Sequence, residues 1–343
     1  MPPLLEICGL EVRFSVGAGW FGAPRGFVHA VDGVDLHVDA GEIVAVVGES
    51  GCGKTTLARS VLGLNRPTAG SIRFRDADLL DSTRGCQVRP YRREIQMIFQ
   101  DPFDSLNPRK TVLQTLAQPL RIHRVVPRRQ IRNEVVRLLD MVGLSPGESY
   151  LSRYPHQFSG GQRQRICIAR AIAVSPSLII ADEAVSALDI SIRAQILTLL
   201  QKLRKELGLS YLFITHDLGV VRSLCERVVV MYLGQVVEEG PTERIFQRPQ
   251  HPYTIALLEA CPLADPVVAR RRTPAPLIGD IPSPVSPPKG CRFHTRCPMA
   301  QGICRTEAPP VVDCGNGQAS RCHFADELGR LPPFAFGATR SMA

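Results

Sequence analysis

At 343 residues, 44% hydrophobic and 21% charged, the chain has the composition of a globular protein. It is long enough for one large core with an appendage, or for two domains. No apolar run approaches the roughly 18 residues of a membrane span, which excludes a helix that crosses a bilayer. Met1-Pro2-Pro3-Leu4-Leu5-Glu6 has neither a basic region nor a long apolar one, so a secretory signal is not expected and the chain is expected to stay in the cytoplasm. The net charge of +9 is diffuse. Its densest runs, Arg89-Pro90-Tyr91-Arg92-Arg93, Arg128-Arg129 and Arg270-Arg271-Arg272, read as solvated or membrane-proximal faces rather than as a nucleic-acid groove binder.

Residues 4–14 and 28–39 alternate apolar and polar side chains, the period of half-buried antiparallel strands. The Gly-rich stretch 15–27 between them, with Trp20, Phe21 and Phe27, reads as a loop. Ile43-Val44-Ala45-Val46-Val47 reads as a buried strand, 70–74 as a short strand, and 95–100 as a third that ends on Gln100. From Thr111 to about Met141 the apolar spacing turns helical, and a second helix is predicted from about Ser159 to Ala173. Leu178-Ile179-Ile180-Ala181 has the form of a strand covered on both faces of a mainly parallel sheet. Helix 191–207, strand 210–215, helix 217–225 and strand 227–232 follow, so the core is of the α/β class. After Glu239-Gly240-Pro241 the composition shifts, and the prolines of 262–288 predict an extended linker or irregular arm rather than a second packed core.

The segment Gly48-Glu49-Ser50-Gly51-Cys52-Gly53-Lys54-Thr55, followed by Thr56, fits G-x-x-x-x-G-K-[ST] and lies between a predicted strand and residues able to open a helix. Glycines let successive backbone N–H groups turn inward on a phosphate, and a helix N-terminus adds positive potential. Lys54 would then reach the β- and γ-phosphates, and the Thr55 hydroxyl would hold Mg²⁺. The motif by itself implies a nucleotide and no more.

Further along stand, in order, Gln100 at a strand end, Phe158-Ser159-Gly160-Gly161-Gln162 opening a helix, Asp182-Glu183 closing a buried strand, Ser186-Ala187-Leu188-Asp189, and His216 after an apolar strand. With that ordered set, residues 4–240 resemble the nucleotide-binding subunits of ABC transporters. The resemblance implies a P-loop α/β cassette over 1–240: a mainly parallel sheet core, an antiparallel β subdomain and an α-helical subdomain at about 101–173. It implies an ATPase using ATP and Mg²⁺, the metal held by Thr55, Gln100 and Asp182. In this reading Glu183 resembles the general base that polarises the attacking water. His216 resembles the switch histidine at the γ-phosphate. Ser159, Gly160, Gly161 and Gln162 resemble the signature that binds the ATP of an opposite subunit, and Asp189 the residue that crosses that interface, with a helix N-cap as its plainer role. The family implies a head-to-tail dimer, of the chain with itself or with a sister subunit, acting on two separate permease subunits with an extracytoplasmic solute-binding protein, at the cytoplasmic face of the membrane.

Three departures stand out. Phe158 replaces the commoner Leu at the start of the signature, and Ala184 replaces a frequent Pro. The adenine-stacking aromatic is not obvious: Phe27 is preferred, with Arg25 able to stack as a cation.

Asp101-Pro102-Phe103-Asp104-Ser105-Leu106-Asn107-Pro108-Arg109 and His251-Pro252-Tyr253-Thr254 narrow the resemblance to the oligopeptide, dipeptide and nickel importer branch. Oligopeptide or dipeptide uptake is the expectation, with a nickel chelate or oligosaccharide as alternative cargo. A soluble ABC ATPase of nucleic-acid metabolism is disfavoured by the lack of a coiled-coil insertion or a second cassette, so no nucleic-acid partner is expected.

Five of the eleven cysteines lie between Cys291 and Cys322. In a cytosolic chain such clustering points to a metal before disulfides. Cys291, Cys297, Cys304 and Cys322, with Cys314 inside the last gap, could converge on one centre, and thiolates suit zinc or an iron–sulfur cluster. The pattern resembles the C-terminal extension, here 241–343, of peptide-importer ATPases, which implies a [4Fe-4S] cluster, with Zn²⁺ or free thiols as alternatives.

Overall fold

The structure is a computed structural model that describes residues 2–18, 24–80, 91–186, 188–261 and 279–329. Trp20, Phe21, Arg89, Pro90, Ala187, the Arg270–Arg272 run and the prolines from Pro262 to Pro276 lie outside the described residues, as does the side chain of Arg25.

In chain order the strands are β1 (Leu5–Ala18), β2 (Pro24–Val38), β3 (Ile43–Val47), β4 (Ala69–Phe74), β5 (Ala77–Asp78), β6 (Ile95–Ile98), β7 (Leu178–Asp182), β8 (Ser210–Ile214), β9 (Arg227–Tyr232), β10 (Gln235–Pro241), β11 (Val312–Asp313) and β12 (Ala319–Ser320). The longer helices are α1 (Lys54–Val61), α2 (Val112–Ile122), α3 (Ile131–Met141), α4 (Gly160–Ile172), α5 (Ile190–Leu207), α6 (Leu218–Leu224) and α7 (Pro252–Ala260). The chain divides into two compact units.

The first unit holds 80–214 with residues 1–4 and 38–42. Its strands β6, β7 and β8 are parallel neighbours in the order β8-β7-β6, with Asp182 opposite Ile214 and Ala181 opposite Ile98. β7 and β8 are buried at every position, as expected of strands packed on both faces. The predicted helical stretch 111–141 breaks into α2 and α3: Arg124 takes a positive φ of 51° and a 3₁₀ turn occupies Arg128–Gln130. Pro127 explains the separation, since its ring cannot continue a helix from the preceding turn. Thr111 opens α2 with a reciprocal capping box to Gln114.

The second unit holds 5–37, 43–79 and 215–343. One sheet runs β2-β1-β4-β5, antiparallel where β1 meets β4 and β4 meets β5. The other runs β11-β12-β10-β9-β3, with β3 parallel to β9 and the remaining pairs antiparallel. β3 is five consecutive buried residues rich in β-branched side chains, which suits a strand covered on both faces. At its start, the Ile43 carbonyl accepts from the Glu226 N–H at 3.0 Å, and the Glu226 carboxylate accepts from the Ile43 N–H at 2.8 Å.

One expectation is corrected here. The stretch 15–27 is not all loop: β1 runs on to Ala18 and β2 begins at Pro24, so Phe27 stands on a strand. Neighbouring strands can extend beyond their amphipathic part because the ladder is made by backbone groups and does not need a buried face. The Cys-rich segment packs within the second unit. Phe293 is buried in an aromatic cluster with Tyr232 and Tyr253, and β12 pairs with β10 through Glu238 opposite Ser320. Proline-rich composition concealed these contacts, which are made by isolated residues and two-residue strands.

Candidate nucleotide site and cysteine pocket

The phosphate-loop segment lies in the second unit, between β3 and α1. Gly48, Gly51 and Gly53 have φ values of 152°, 81° and 107°. Two of them are fixed by space as well: a Cβ on Gly48 would fall 2.2 Å from the Met231 carbonyl oxygen, and one on Gly53 would fall 2.1 Å from that of Ala30. Lys54 is buried and folds back over the loop, its Nζ donating to the carbonyls of Gly48 at 2.8 Å and Glu49 at 2.9 Å. Thr55 and Thr56 follow in the first turn of α1, half-buried. Burial pushes the Cys52 thiol up, although Lys54 beside it works in the opposite sense.

Glu49 and Cys52 are held from outside the loop. The Glu49 N–H donates to Tyr253 Oη at 2.8 Å, and both Glu49 carboxylate oxygens accept from Arg296, at 2.6 and 3.0 Å. The Cys52 carbonyl accepts from the Gly234 N–H at 2.9 Å. Ser50 stays exposed.

Two more predicted residues belong to this unit. His216 is exposed and follows Thr215, whose N–H donates to the Val46 carbonyl on β3, the strand that leads into the loop. Asp217 then caps α6, accepting from Gly219 and Val220. Phe27 is 46% exposed on β2, the strand whose Ala30 carbonyl touches Gly53.

The other predicted residues lie in the first unit. Asp182 is the last residue of β7 and is buried. Glu183 has a positive φ of 47°, a strained setting for a non-glycine, stabilised by its N–H bond to the Ile214 carbonyl at 2.9 Å. Gln100, two residues beyond β6, donates from Nε2 to Glu183 Oε2 at 2.7 Å. Thus parallel strands β6 and β7 deliver an amide and a carboxylate to one point from 83 residues apart.

Ser159 and Gln162 form a reciprocal capping box at the start of α4, with Gly160 and Gly161 between them. A Cβ on Gly161 would meet Ile192 Cγ2 at 2.5 Å, so the glycine permits the close approach of α4 to α5. Gln164 Nε2 donates to the Ala184 carbonyl at 2.6 Å, tying α4 to the turn after Glu183. Asp189 sits at the N-cap position of α5, exposed, with no side-chain bond to the helix. Phe158 is a buried anchor that packs on Tyr150, as its apolar character predicts.

Far along the second unit, Cys291, Cys297, Cys304 and Cys322 line one small cavity together with His251 and His294. Cys314 stands apart, its thiol directed to the Val312 carbonyl. Burial pushes Cys297 up to about 11 and Cys322 up to about 12, and each is raised further by neighbouring thiols of the set. The donor set is soft, yet among the described residues no group of three or more His, Cys, Asp or Glu is arranged to hold a metal ion.

Two family models match the chain: one described as ABC transporter over residues 31–186, and one described as oligopeptide/dipeptide transporter, C-terminal region, over residues 237–304. The chain belongs to the ABC transporter ATP-binding family. A probable peptide ABC transporter ATP-binding protein, y4tS of Sinorhizobium fredii, is 50% identical over 93% of this chain and 89% of its own length. The oligopeptide transport ATP-binding protein OppF of Salmonella typhimurium is 48% identical over 95% of this chain and 97% of its own. Among solved structures, the ATP-binding cassette MJ0796, described as a dimer in a post-hydrolysis state bound to ADP and Pi, superposes with a TM-score of 0.60. It is 30% identical and covers 69% of this chain and 98% of that one.

The family membership accounts for the motif order. It does not reveal the contacts that Arg296, Tyr253 and Arg292 make, because each acts on a residue about 200 or more positions away or on a backbone carbonyl.

Proposed function

We propose that this chain is the ATP-hydrolysing motor of an importer that takes up oligopeptides or dipeptides through two separate permease subunits. The match of both family models in one chain carries the reading, because it joins a nucleotide cassette to the C-terminal region of peptide transporters. The peptide-transport relatives match over nearly their whole length, and nothing favours a nickel chelate, an oligosaccharide or a nucleic acid as the object of the motor.

In this reading Gly48 to Thr56 cradle the ATP phosphates through backbone N–H groups and the α1 N-terminus, and Lys54 neutralises the β- and γ-phosphates. Phe27 stacks on adenine. Thr55, Asp182 and Gln100 hold Mg²⁺, which would supply charge neutralisation at the β- and γ-oxygens. Glu183 orients the attacking water and accepts its proton, and His216 contacts the γ-phosphate. The Gln100–Glu183 hydrogen bond supports a linked role: movement of the segment after Gln100 would alter the setting of the base. Ser159 to Gln162 and Asp189 act across a head-to-tail dimer on the ATP of a second ATP-binding subunit. Such a motor sits peripherally on the cytoplasmic face of the membrane and serves a system with an extracytoplasmic solute-binding protein. Among the described residues no helix is long and apolar enough to cross a membrane, and in this reading the permease subunits supply the translocation path.

The decisive experiment is Glu183→Gln in the assembled transporter. ATP turnover should fall by about a hundredfold or more while nucleotide binding persists, the scale of removing a general base. Unchanged turnover would reject Glu183 as the base.

For the C-terminal segment, a [4Fe-4S] cluster on Cys291, Cys297, Cys304 and Cys322 is the reading that best suits four soft donors around one cavity, with zinc second. Visible absorption and metal analysis of anaerobically purified protein decide it. A colourless protein with one zinc per chain would overturn the cluster.

A further inference from the structure

A phosphate-binding loop that carries a glutamate has an electrostatic problem. Glu49 places a negative charge one residue after Gly48, in a segment read as cradling a polyphosphate, and like charges repel. Arg296 answers it with a two-point contact to both Glu49 carboxylate oxygens, at 2.6 and 3.0 Å, from a side chain only 5% exposed. Paired planar contacts of this kind fix direction as well as charge. The same loop residue is held through its backbone, because its N–H donates to Tyr253 Oη at 2.8 Å.

A second hold acts at the far end of the loop. Arg292 donates to the Leu233 carbonyl and pairs with Asp32. The next residue, Gly234, donates its N–H to the Cys52 carbonyl at 2.9 Å and accepts from the Asp32 N–H at 2.9 Å. Both arginines therefore lie in one short segment, 292–296, and that segment is bracketed by Cys291 and Cys297, which line the cysteine cavity. Between them Phe293 is fully buried against Tyr232 and Tyr253, so the segment has little freedom to shift.

We propose that Arg296 is a positioning residue for the phosphate loop, neutralising and orienting Glu49 so that the loop is preset for ATP, with Arg292 supporting the Cys52 end. This rests on the reading of Gly48 to Thr56 as the phosphate-binding loop. The Cys291–Cys297 segment then serves the nucleotide site mechanically, and the C-terminal region is part of the apparatus that binds ATP.

The test compares ATP binding and the ATP dependence of turnover in the full chain and its R296M, R296K, E49Q and K54A variants. R296M should weaken ATP binding by about tenfold, with the loss larger on KM than on kcat, a size typical of a lost charge-assisted pair. R296K keeps the charge without the two-point geometry and should recover part of that loss. E49Q replaces one acceptor oxygen with an amide that opposes the guanidinium, and E49Q/R296M should be no worse than R296M alone, since the two act as one unit. ATP affinity within about twofold of the parent in R296M, or losses that multiply in the double variant, would overturn the proposal. If R296M does not fold, R296K decides: a loss of about threefold supports the proposal, and parental affinity overturns it. K54A separates this from the underlying reading. Retained ATP binding in K54A would sink the phosphate-loop assignment and the proposal together, whereas loss in K54A with parental affinity in R296M sinks the proposal alone.

Discussion

Glu238 gives the sharpest physical test of how the C-terminal region is held within the second unit. It lies on β10, is fully buried, and its Oε1 accepts from the Gln250 N–H at 2.6 Å and from Gln318 Nε2 at 2.8 Å. Burial drives its carboxyl up to about 7, against an ordinary value near 4.5, and the hydrogen bonds offset only part of that rise. A group whose folded pKa is raised holds its proton more tightly when folded. Its contribution to stability is therefore complete below about 4.5 and is lost as pH rises through about 7. The gap corresponds to about 3 kcal/mol in full, and to about 2.5 kcal/mol between pH 5 and pH 8, taking 1.36 kcal/mol per tenfold. Glu238→Gln keeps the acceptor oxygen and removes the titration. Urea unfolding of both proteins at pH 5 and pH 8 isolates the effect, because all other groups cancel in the difference. The parent should lose about 2.5 kcal/mol relative to the variant on going to pH 8. A difference that stays constant with pH, or that favours the parent at pH 8, would refute the reasoning. His251, fully buried beside the cysteine cavity, works in the opposite sense: burial depresses it to about 3, so its contribution is present above about 6.5 and is lost as pH falls through that depressed value. The E238Q protein should thus lose stability on acidification below about pH 6.5 more steeply than the parent does.

Gly48→Ala should cost about 2–3 kcal/mol, read as a fall in the urea midpoint, because its Cβ would stand 2.2 Å from a strand carbonyl at a φ that favours glycine. Ile180→Ala, on a strand buried on both faces, should cost about 2–5 kcal/mol by the same measurement. Ser159→Ala removes half of the capping box of α4 and should cost about 1 kcal/mol, with a loss of ATP turnover beyond that expected from stability if the residue also meets nucleotide.

Most of the α/β core was legible because its signals are local. β3, β7 and β8 are short runs of apolar side chains, and the structure buries every one of their residues. The start of α4 was legible from Ser159 and Gln162, whose spacing is that of a capping box. What failed was also physical. The extensions of β1 to Ala18 and of β2 back to Pro24 depend on backbone pairing that leaves no apolar period. The two-residue strands β11 and β12 are too short to carry a pattern at all, and they exist only because β10 offers an edge.

The site divides along the same line. Gln100 and Glu183 could each be placed at a strand end from sequence, but their 2.7 Å hydrogen bond follows from the parallel register of β6 and β7, where Ile98 stands opposite Ala181. Register of parallel strands separated by a helical excursion of this length is set by tertiary packing, and no local spacing encodes it. Arg296 is a longer-range case still, 247 residues from its partner. One clue did lie in the sequence: an acidic residue inside an anion-binding loop has to be neutralised or turned away. Asking which cation does so narrows the candidates to residues that folding can bury beside the loop, because an exposed surface pair would be screened and weak. Arg296 meets that condition through the aromatic packing of Phe293 against Tyr232 and Tyr253, so the cation that serves the first motif in the chain is positioned by the segment between two of the last cysteines.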